Sequence, residues 1–400
     1  EPYMTTPPTL TSLVFWACAG LVIYAYAGYP LLIWALSRIL GRREEPPSID
    51  DESLPRVALV LAAYNEEAVI EDRLRNALAM DYPAEKYEVI VGSDGSTDRT
   101  ADLVRQFADR GVRLLDHAQN RGKATVLNAA VAEVRGEIVL LSDANTHIDS
   151  AAARHLVRWF ADPRVGAVVG RLVLVDPATG RNADGLYWKY ETFLKCCEGR
   201  LGALLGANGA IYALRRDLYV PIPPGTIVDD FVIPLLAKLR TGCRIIYDCE
   251  AVAVEETAPD VGAEFHRRAR IGAGGFQSIG MLWRLLDPRR GWVAFTFLSH
   301  KILRWFGPFF LIGTLVANLL LWQQPWYRMM IFVQVFFYIG SLMVILAPTR
   351  TRVARPLRLA AMFTSMNAAL LVGFGRWLSG RQRAAWRRTA RVAEAKGAVR

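Results

Sequence analysis

The sequence predicts an α/β domain with a mostly parallel sheet, joined to a transmembrane α-helical region. Short apolar runs alternate with stretches of helical spacing between residues 56 and 160, which is typical of strands covered by helices on both faces. Long apolar runs flank this part of the chain. The composition fits both parts, because 52% of the 400 residues are hydrophobic and 22% are charged. These fractions exclude a disordered chain and a collagen.

The apolar run at residues 13–40 exceeds the roughly 20 residues that a membrane-spanning helix needs. Residues 1–12 contain no Lys or Arg, whereas a signal peptide begins with positive charge and has a shorter apolar core. Arg38, Arg42 and Arg43 close the run, and positive residues favour the cytoplasmic side. We therefore expect a multi-pass protein of the inner (plasma) membrane whose α/β domain lies in the cytoplasm.

Three apolar segments in the C-terminal quarter, at 302–321, 327–347 and 359–378, predict further transmembrane helices. The uncharged loop 322–326 is expected outside and the arginine-rich loop 349–358 inside. Three crossings would place the tail outside, yet the tail is rich in arginine: Arg381, Arg383, Arg387, Arg388 and Arg391. Either the last segment does not fully span the bilayer, or the charge rule fails here.

Strands and helices alternate in the first part of the α/β domain. Continuous apolar runs predict the strands, and apolar residues at helical spacing predict the helices between them. The predicted strands are 56–63, 87–92, 112–116 and 137–142, and the predicted helices are 66–80, 97–110, 123–135, 150–160 and, later, 231–240.

Polar residues follow three of these strands, as Tyr64-Asn65-Glu66, Ser93-Asp94-Gly95-Ser96 and Asp143-Ala144-Asn145. The carboxyl ends of parallel strands meet at one edge of a sheet, where open α/β sheets bind their ligands. Each cluster alone could also serve as a helix cap. Two carboxylates in one crevice, however, repel each other unless a cation or a hydrogen-bond donor joins them. We therefore expect Asp94 and Asp143 to belong to a ligand site.

Three motifs carry a resemblance to a known family: A-A-Y-N-E-E at 62–67, S-D-G-S-T-D at 93–98 and N-R-G-K-A at 120–124. The chain resembles the family 2 inverting glycosyltransferases of the type A fold. More narrowly, it resembles their membrane-embedded branch of cellulose, hyaluronan, chitin and poly-N-acetylglucosamine synthases. The similarity covers nearly the whole length, with one N-terminal span, a cytoplasmic domain and clustered C-terminal spans.

The resemblance implies a donor site for a UDP-sugar. Ala63, Tyr64, Glu66 and Asp94 would hold the nucleobase and the ribose. Lys123 stands at a predicted helix start, where a cation and free N–H groups both suit phosphate. A solvated lysine at a helix end is the alternative interpretation of Lys123.

The resemblance also implies a metal site. Asp143-Ala144-Asn145 matches the D-x-D motif of the family, with an asparagine in place of the second aspartate. Mg²⁺ takes oxygen ligands and is commonly bound by one or two protein carboxylates together with phosphate oxygens. We therefore expect Asp143 and Asn145 to hold Mg²⁺ or Mn²⁺, with one negative charge fewer than in the usual motif.

The acceptor side of the site is implied by the second half of the domain. Asn208 and Gly209 belong to a Gly-Ala-Asn-Gly stretch that lies where relatives keep an acceptor-binding loop, although a simple turn would have the same composition. Asp229 and Asp230 take the place of the family's Glu-Asp pair, so Asp230 is expected to be the general base. Helix capping explains the pair as an alternative, and a helix dipole would keep a carboxylate there ionised.

Two arginines are implied to grip the departing diphosphate. Arg267 and Arg270 fall on the Gln and Arg positions of the family's Q-x-x-R-W motif, and Ile271 stands at the Trp position. Arginine can clamp a diphosphate with paired hydrogen bonds. A patch for lipid headgroups is an alternative role for these residues. The missing Trp weakens the case for processive polymerisation.

These observations predict an inverting, UDP-sugar-dependent hexosyltransferase of bacterial polysaccharide synthesis. Transfer of one sugar to a membrane lipid and an inactive membrane-anchored assembly subunit are the alternatives. Expected partners are the UDP-sugar, a glycan or lipid acceptor, membrane lipids and an export partner or second copy, but no nucleic acid. The predicted regions are a transmembrane helix (1–43), a linker (44–54), a donor half (55–180), an acceptor half with the base (181–260), interface helices (261–300), about three transmembrane helices (301–380) and a basic tail (381–400).

Overall fold

The computed structural model describes residues 9–176, 182, 185–257, 261–346 and 355–382. They form two compact units, which we call the helical unit and the sheet unit. The helical unit lies within 1–32, 264–276 and 298–382, and the sheet unit within 33–263 and 277–297. Most of the predicted basic tail, from Arg383 onward, lies outside the described residues, as do Arg350 and Arg352 of the predicted cytoplasmic loop.

The sheet unit contains eight strands in one sheet. They are β1 (Val57–Ala63), β2 (Tyr87–Asp94), β3 (Val112–His117), β4 (Ile138–Asp143), β5 (His147–Ile148), β6 (Val165–Val175), β7 (Tyr212–Arg215) and β8 (Arg244–Glu256). Their spatial order is β3-β2-β1-β4-β7-β6-β8-β5. The first four strands are parallel, as predicted, whereas β7 is antiparallel to both β4 and β6. The sheet as a whole is therefore mixed, and the predicted α/β fold class is confirmed.

Helices cover the sheet and form the helical unit. They are α1 (Leu10–Ile23), α2 (Tyr29–Ile39), α3 (Ile70–Leu78), α4 (Thr100–Arg105), α5 (Lys123–Ala132), α6 (Ala152–Val157), α7 (Leu186–Arg200), α8 (Asp229–Thr241), α9 (Val261–Leu282), α10 (Trp292–Thr296), α11 (Leu303–Trp305), α12 (Gly307–Leu320), α13 (Pro325–Leu346) and α14 (Arg355–Leu378).

The core of the sheet unit follows from the unbroken apolar strands. Every residue of β1 is buried, and so are the side chains of Val91 on β2 and Leu140 on β4. Full burial of such a side chain stabilises the fold by about 1.5–3 kcal/mol. The buried strand ends bring the polar clusters after β1, β2 and β4 to one edge of the sheet, because these strands are parallel neighbours.

Three described helices are long and apolar enough to cross a membrane: Leu10–Ile39, Pro325–Leu346 and Pro356–Leu378. Their mean hydropathies are 1.7, 2.3 and 1.4. The predicted helix at 302–321 is interrupted instead, since the stretches Trp292–Trp305 and Gly307–Leu320 are bent by 58° at the break. Pro308 explains the break, because it lies in the first turn of the second stretch and has no backbone N–H with which to continue the hydrogen bonds of the first stretch.

Candidate active site

The loops after β1 and β2 are tied to each other by hydrogen bonds. Asn65 Oδ1 accepts from the backbone N–H of Thr97 at 2.8 Å, and the backbone N–H of Asn65 donates to Ser96 Oγ at 3.1 Å. The backbone N–H of Glu67 donates to Asp98 Oδ2 at 3.2 Å. The predicted motifs at 62–67 and 93–98 therefore form one local structure.

Asn65 has a left-handed backbone, with φ of 53°, which is uncommon outside glycine and best tolerated by Asn and Asp. Because of this turn, α3 begins at Ile70, whereas the sequence predicted a helix at 66–80. The predicted start was therefore too early. The three predicted donor residues around it differ in exposure. Ala63 is buried at the end of β1, Tyr64 is half-buried, and Glu66 is 8% exposed.

Asp94 ends β2 and is fully buried. Its carboxylate accepts from the backbone N–H groups of Arg121 at 2.7 Å and Gly122 at 2.9 Å. Gly122 has φ of 91°, a conformation that favours glycine. Asp94 thus holds the loop that leads into α5 and fixes the position of Lys123. Its predicted contact with the nucleobase stays a prediction.

Lys123 brings together carboxylates that are distant in the sequence. Its Nζ lies 2.6 Å from Asp143 Oδ1 and 3.0 Å from Asp229 Oδ2. Burial alone would lower the pKa of Lys123, but the carboxylates of Asp143, Asp229 and Asp230 raise it above its ordinary value. The lysine is therefore a permanent cation between the end of β4 and the start of α8.

Asp230 has the electrostatic surroundings of a general base. Burial raises the pKa of its carboxyl group to about 6, and the neighbouring charge of Asp229 adds to this rise. The positive charge of Lys123 and the backbone N–H of Phe231, 2.9 Å from Asp230 Oδ1, oppose it. A base works best when its pKa is near the working pH, and this carboxylate is mostly ionised at neutral pH.

The Gly-Ala-Asn-Gly stretch packs against these carboxylates. The carbonyl oxygen of Gly209 accepts from the backbone N–H of Asp143 at 3.0 Å, and a Cβ on Gly209 would lie 2.4 Å from Asp143 Oδ2. Ala207 N–H donates to the carbonyl oxygen of Asp230 at 3.1 Å. Asn208 Nδ2 donates to the carbonyl oxygen of Gly170 at 3.3 Å, while its buried Oδ1 has no partner among the described residues. The loop therefore lies beside Asp230, as the acceptor prediction requires, and its role stays a prediction.

Two buried residues of the site were not predicted from the sequence. Tyr212 is 1% exposed and lines a small cavity with Lys123, Asp143 and Asp229, and its hydroxyl has no partner among the described residues. Arg73, also 1% exposed, lies beneath Asp143. The sequence held a signal for Arg73, because it shares helical spacing with the buried residues Ile70, Leu74 and Ala77 of α3.

Three further residues were predicted for the site: Asn145, Arg267 and Arg270. Asn145 is exposed in the turn after β4. Arg267 on α9 pairs with Glu264, with Nε 2.9 Å from Oε2. Arg270 is exposed on the same helix and makes no hydrogen bond or ion pair within the described ranges. The roles predicted for these residues stay predictions.

The fold is the type A glycosyltransferase fold that the resemblance implied. Residues 58–215 match the family model described as glycosyl transferase family 2, in agreement with the motifs at 62–67, 93–98 and 120–124.

Named relatives cover part of the chain. A poly-beta-1,6-N-acetyl-D-glucosamine synthase of Staphylococcus aureus (strain COL) is 31% identical over 244 residues, which is 58% of this chain and 57% of the relative. A beta-monoglucosyldiacylglycerol synthase of Synechocystis is 28% identical over 299 residues, or 70% of this chain and 61% of the relative. The chain therefore spans less than two thirds of the length of both relatives.

A solved structure supports the fold over most of the chain. A mannosyltransferase from Pyrobaculum calidifontis, in complex with GDP-Man and Mn²⁺, aligns with a TM-score of 0.70 and 24% identity. The alignment covers 91% of this chain and 99% of that one. At this identity, the likeness establishes a shared fold.

Proposed function

We propose that this protein is a membrane-bound inverting glycosyltransferase that transfers a sugar from a UDP-sugar to a hydroxyl group of an acceptor. One observation carries the proposal: Lys123 gathers Asp143 and Asp229 beside Asp230, a carboxylate whose pKa is raised to about 6. This arrangement provides a cation for a leaving diphosphate and a base for an attacking alcohol. It argues against an inactive assembly subunit, which would have no need to maintain it.

The reaction is a single displacement. Asp230 takes the proton of the acceptor hydroxyl while that oxygen attacks C1 of the donor sugar, and the bond from C1 to the diphosphate oxygen breaks. The configuration at C1 is inverted, and UDP leaves with the bonding electron pair. General-base assistance accelerates such a step by about 10²- to 10⁴-fold. The positive charge of Lys123 stabilises the charge that develops on the diphosphate.

Asp143 and Asn145 suit a divalent cation that is shared with a diphosphate. The side chain of Asp143 is 29% exposed, and Asn145, which is exposed in the turn after β4, offers an amide oxygen. The described residues form no group of three or more His, Cys, Asp and Glu that could hold a metal alone. One or two protein oxygens with phosphate oxygens are a common arrangement for Mg²⁺. Bound Mg²⁺ or Mn²⁺ would neutralise charge on the leaving diphosphate.

The acceptor is either a glycan or a membrane lipid. The two named relatives represent these classes, since one is named for a polysaccharide and the other for a glycolipid. A lipid acceptor is the second candidate. Two observations support it: Ile271 stands at the Trp position of the processive enzymes, and the glycolipid synthase matches a larger share of the chain than the polysaccharide synthase does. The candidate spans suit either acceptor in a multi-pass inner-membrane enzyme with a cytoplasmic active site.

A donor and acceptor screen tests the proposal. The full chain in detergent or vesicles is given UDP-glucose, UDP-N-acetylglucosamine, UDP-glucuronate or UDP-galactose, with a divalent cation and either diacylglycerol or short glycans. Mass spectrometry then measures product identity and length. We expect transfer from at least one donor, and nuclear magnetic resonance of the product should show that the configuration at C1 is inverted. Absence of both transfer and donor hydrolysis across the screen would refute the proposed function.

A further inference from the structure

Arg73 on α3 is a buried guanidinium that reaches the turn after β4. Its Nη2 donates to Ser142 Oγ at 3.2 Å, and its Nε lies 3.4 Å from the carbonyl oxygen of Asp143. Its Nη1 donates to Asn76 Oδ1 at 3.0 Å. Two of these three contacts connect α3 to Ser142 and to Asp143, the residue that is proposed to hold a metal, and the third stays within α3.

The position is costly for a charged group. Arg73 is 1% exposed and makes no ion pair with any acidic side chain among the described residues. The guanidinium group of an arginine stays charged in proteins at neutral pH. Burying a charge without a paired opposite charge costs several kcal/mol unless hydrogen bonds compensate. Because burial of this charge is costly, we infer that the position which Arg73 gives to Ser142 and Asp143 has a function.

Asn76, one turn later on α3, holds the other end of the same turn. Its Nδ2 donates to the carbonyl oxygen of Ile148 at 2.8 Å, and its Oδ1 accepts from the backbone N–H of Ile148 at 2.9 Å. Since Asn76 Oδ1 also accepts from Arg73, the two side chains act as one bridge. Residues 143–148 are therefore fixed at both ends from the same helix.

We propose that Arg73 and Asn76 are positioning residues that set the separation of Asp143 and Asn145 and so preorganise the site for Mg²⁺ or Mn²⁺ bound with a nucleoside diphosphate. This inference rests on the proposed function for the identity of the ligand. The two side chains act through the turn and do not touch the metal or the substrate. Removing a residue that orients a metal ligand typically weakens metal binding by about 10- to 100-fold.

Whether Arg73→Met binds the divalent cation more weakly or more tightly distinguishes a positioning role of Arg73 from an effect of its charge. Arg73→Met keeps a long apolar side chain and removes one positive charge close to the metal. Electrostatics alone would then strengthen binding of a divalent cation, because like charges repel. Loss of the bridge would weaken binding instead. Arg73→Lys keeps the charge but cannot donate in three fixed directions, so it is expected to bind metal more weakly than the wild type.

The experiment measures Mn²⁺ binding to the full chain by electron paramagnetic resonance in the presence of UDP. We expect Arg73→Met and Asn76→Ala to raise the Kd for Mn²⁺ by about 10- to 100-fold. Arg215→Met is the matched control. Arg215 also donates to backbone carbonyls, those of Val165 and Phe160, but it pairs with Ile138 at the opposite end of β4. Its loss should lower thermal stability and leave the Kd unchanged.

Each outcome decides between the alternatives. Three outcomes would contradict the positioning role. They are unchanged or tighter Mn²⁺ binding in Arg73→Met, equally weakened binding in Arg215→Met, and wild-type binding in Arg73→Lys. If Arg73→Met does not fold, Asn76→Ala decides by the same criterion. If the wild type binds Mn²⁺ with UDP but transfers no sugar, the proposed function is refuted. The positioning role of Arg73 and Asn76 is then still decided by the Kd for Mn²⁺ of the variants. A wild type that transfers sugar yet binds no Mn²⁺ refutes the bridge alone.

Discussion

The Nζ of Lys123 lies 3.0 Å from Asp229 Oδ2, and this contact joins the start of α5 to the start of α8. The same Nζ reaches Asp143 at the end of β4. One cation therefore compensates carboxylates from two other elements of the sheet unit. Removing one member of a buried ion pair costs about 3–5 kcal/mol, because the other charge is left uncompensated. The lysine thus contributes both to the fold and to the charge of the site.

Replacement of Lys123 by Met should abolish most turnover and shift the pH dependence. Because Lys123 lowers the pKa of Asp230, its loss should move the acidic limb of kcat/KM to higher pH than in the wild type. Lys86→Met is the control, since Lys86 binds the carbonyl oxygens of Asp51 and Glu52 and contacts none of these carboxylates. If the pH profile of kcat/KM for Lys123→Met coincided with that of the wild type, Lys123 would not lower the pKa of Asp230.

The wild-type enzyme should lose kcat/KM below about pH 6. Asp230 must be deprotonated to accept the acceptor's proton, and its pKa is raised to about 6 by burial and by Asp229. Below that value, the rate should fall about tenfold for each pH unit. Initial rates at saturating metal in buffers between pH 4.5 and 8 are the measurement. A rate that is independent of pH down to pH 4.5 would exclude Asp230 as a base with this pKa.

Much of this site follows from patterns that the sequence displays directly. Unbroken apolar runs predicted β1 to β4, and parallel pairing then placed Asp143 at the functional edge. The antiparallel β7 was not predicted, because four residues at 212–215 give too short a pattern to distinguish a strand from a turn. Arg73 was missed for another reason: an arginine on a helix is usually exposed, and only its hydrogen bonds to Ser142 and Asn76 explain its burial.

Replacement of Asp230 by Asn should remove turnover while UDP binding persists. The amide cannot accept the hydroxyl proton as a base, so we expect a loss of about 10²- to 10⁴-fold in kcat. Calorimetric titration with UDP and Mn²⁺ checks that the donor site is intact. Asp217→Asn serves as the control, because Asp217 is an exposed carboxylate of the same unit. Turnover equal to that of Asp217→Asn would assign the base to another residue.

The same Asp230→Asn variant should be more stable than the wild type at pH 8. The folded state raises the pKa of this carboxyl group, so it favours the protonated form, and the penalty for ionisation grows as the pH rises from about 4 to 6. The stabilisation is at most about 3 kcal/mol, since one pKa unit corresponds to about 1.4 kcal/mol. Thermal unfolding at pH 8 and pH 4 measures it. If the melting temperatures of the variant and the wild type differed as much at pH 4 as at pH 8, ionisation of Asp230 would not be the cause.

Gly209→Ala should lower activity without a comparable loss of stability. The new Cβ would lie 2.4 Å from Asp143 Oδ2, so the carboxylate must move away from the position in which it meets Lys123. The backbone of Gly209 is not left-handed, so alanine causes no strain of its own there. We expect weaker Mn²⁺ and UDP binding and a lower kcat, measured by calorimetry and initial rates.

Gly199→Ala on α7 is the matched control for this substitution. No atom lies within 4 Å of the Cβ that it would add, and alanine in a helix is favoured over glycine by about 0.5–1 kcal/mol. This variant should keep wild-type rates and melt at the same or a slightly higher temperature. If Gly209→Ala and Gly199→Ala were equally active, the close approach of residue 209 to Asp143 would have no part in catalysis, and the turn after β4 would tolerate a displaced carboxylate.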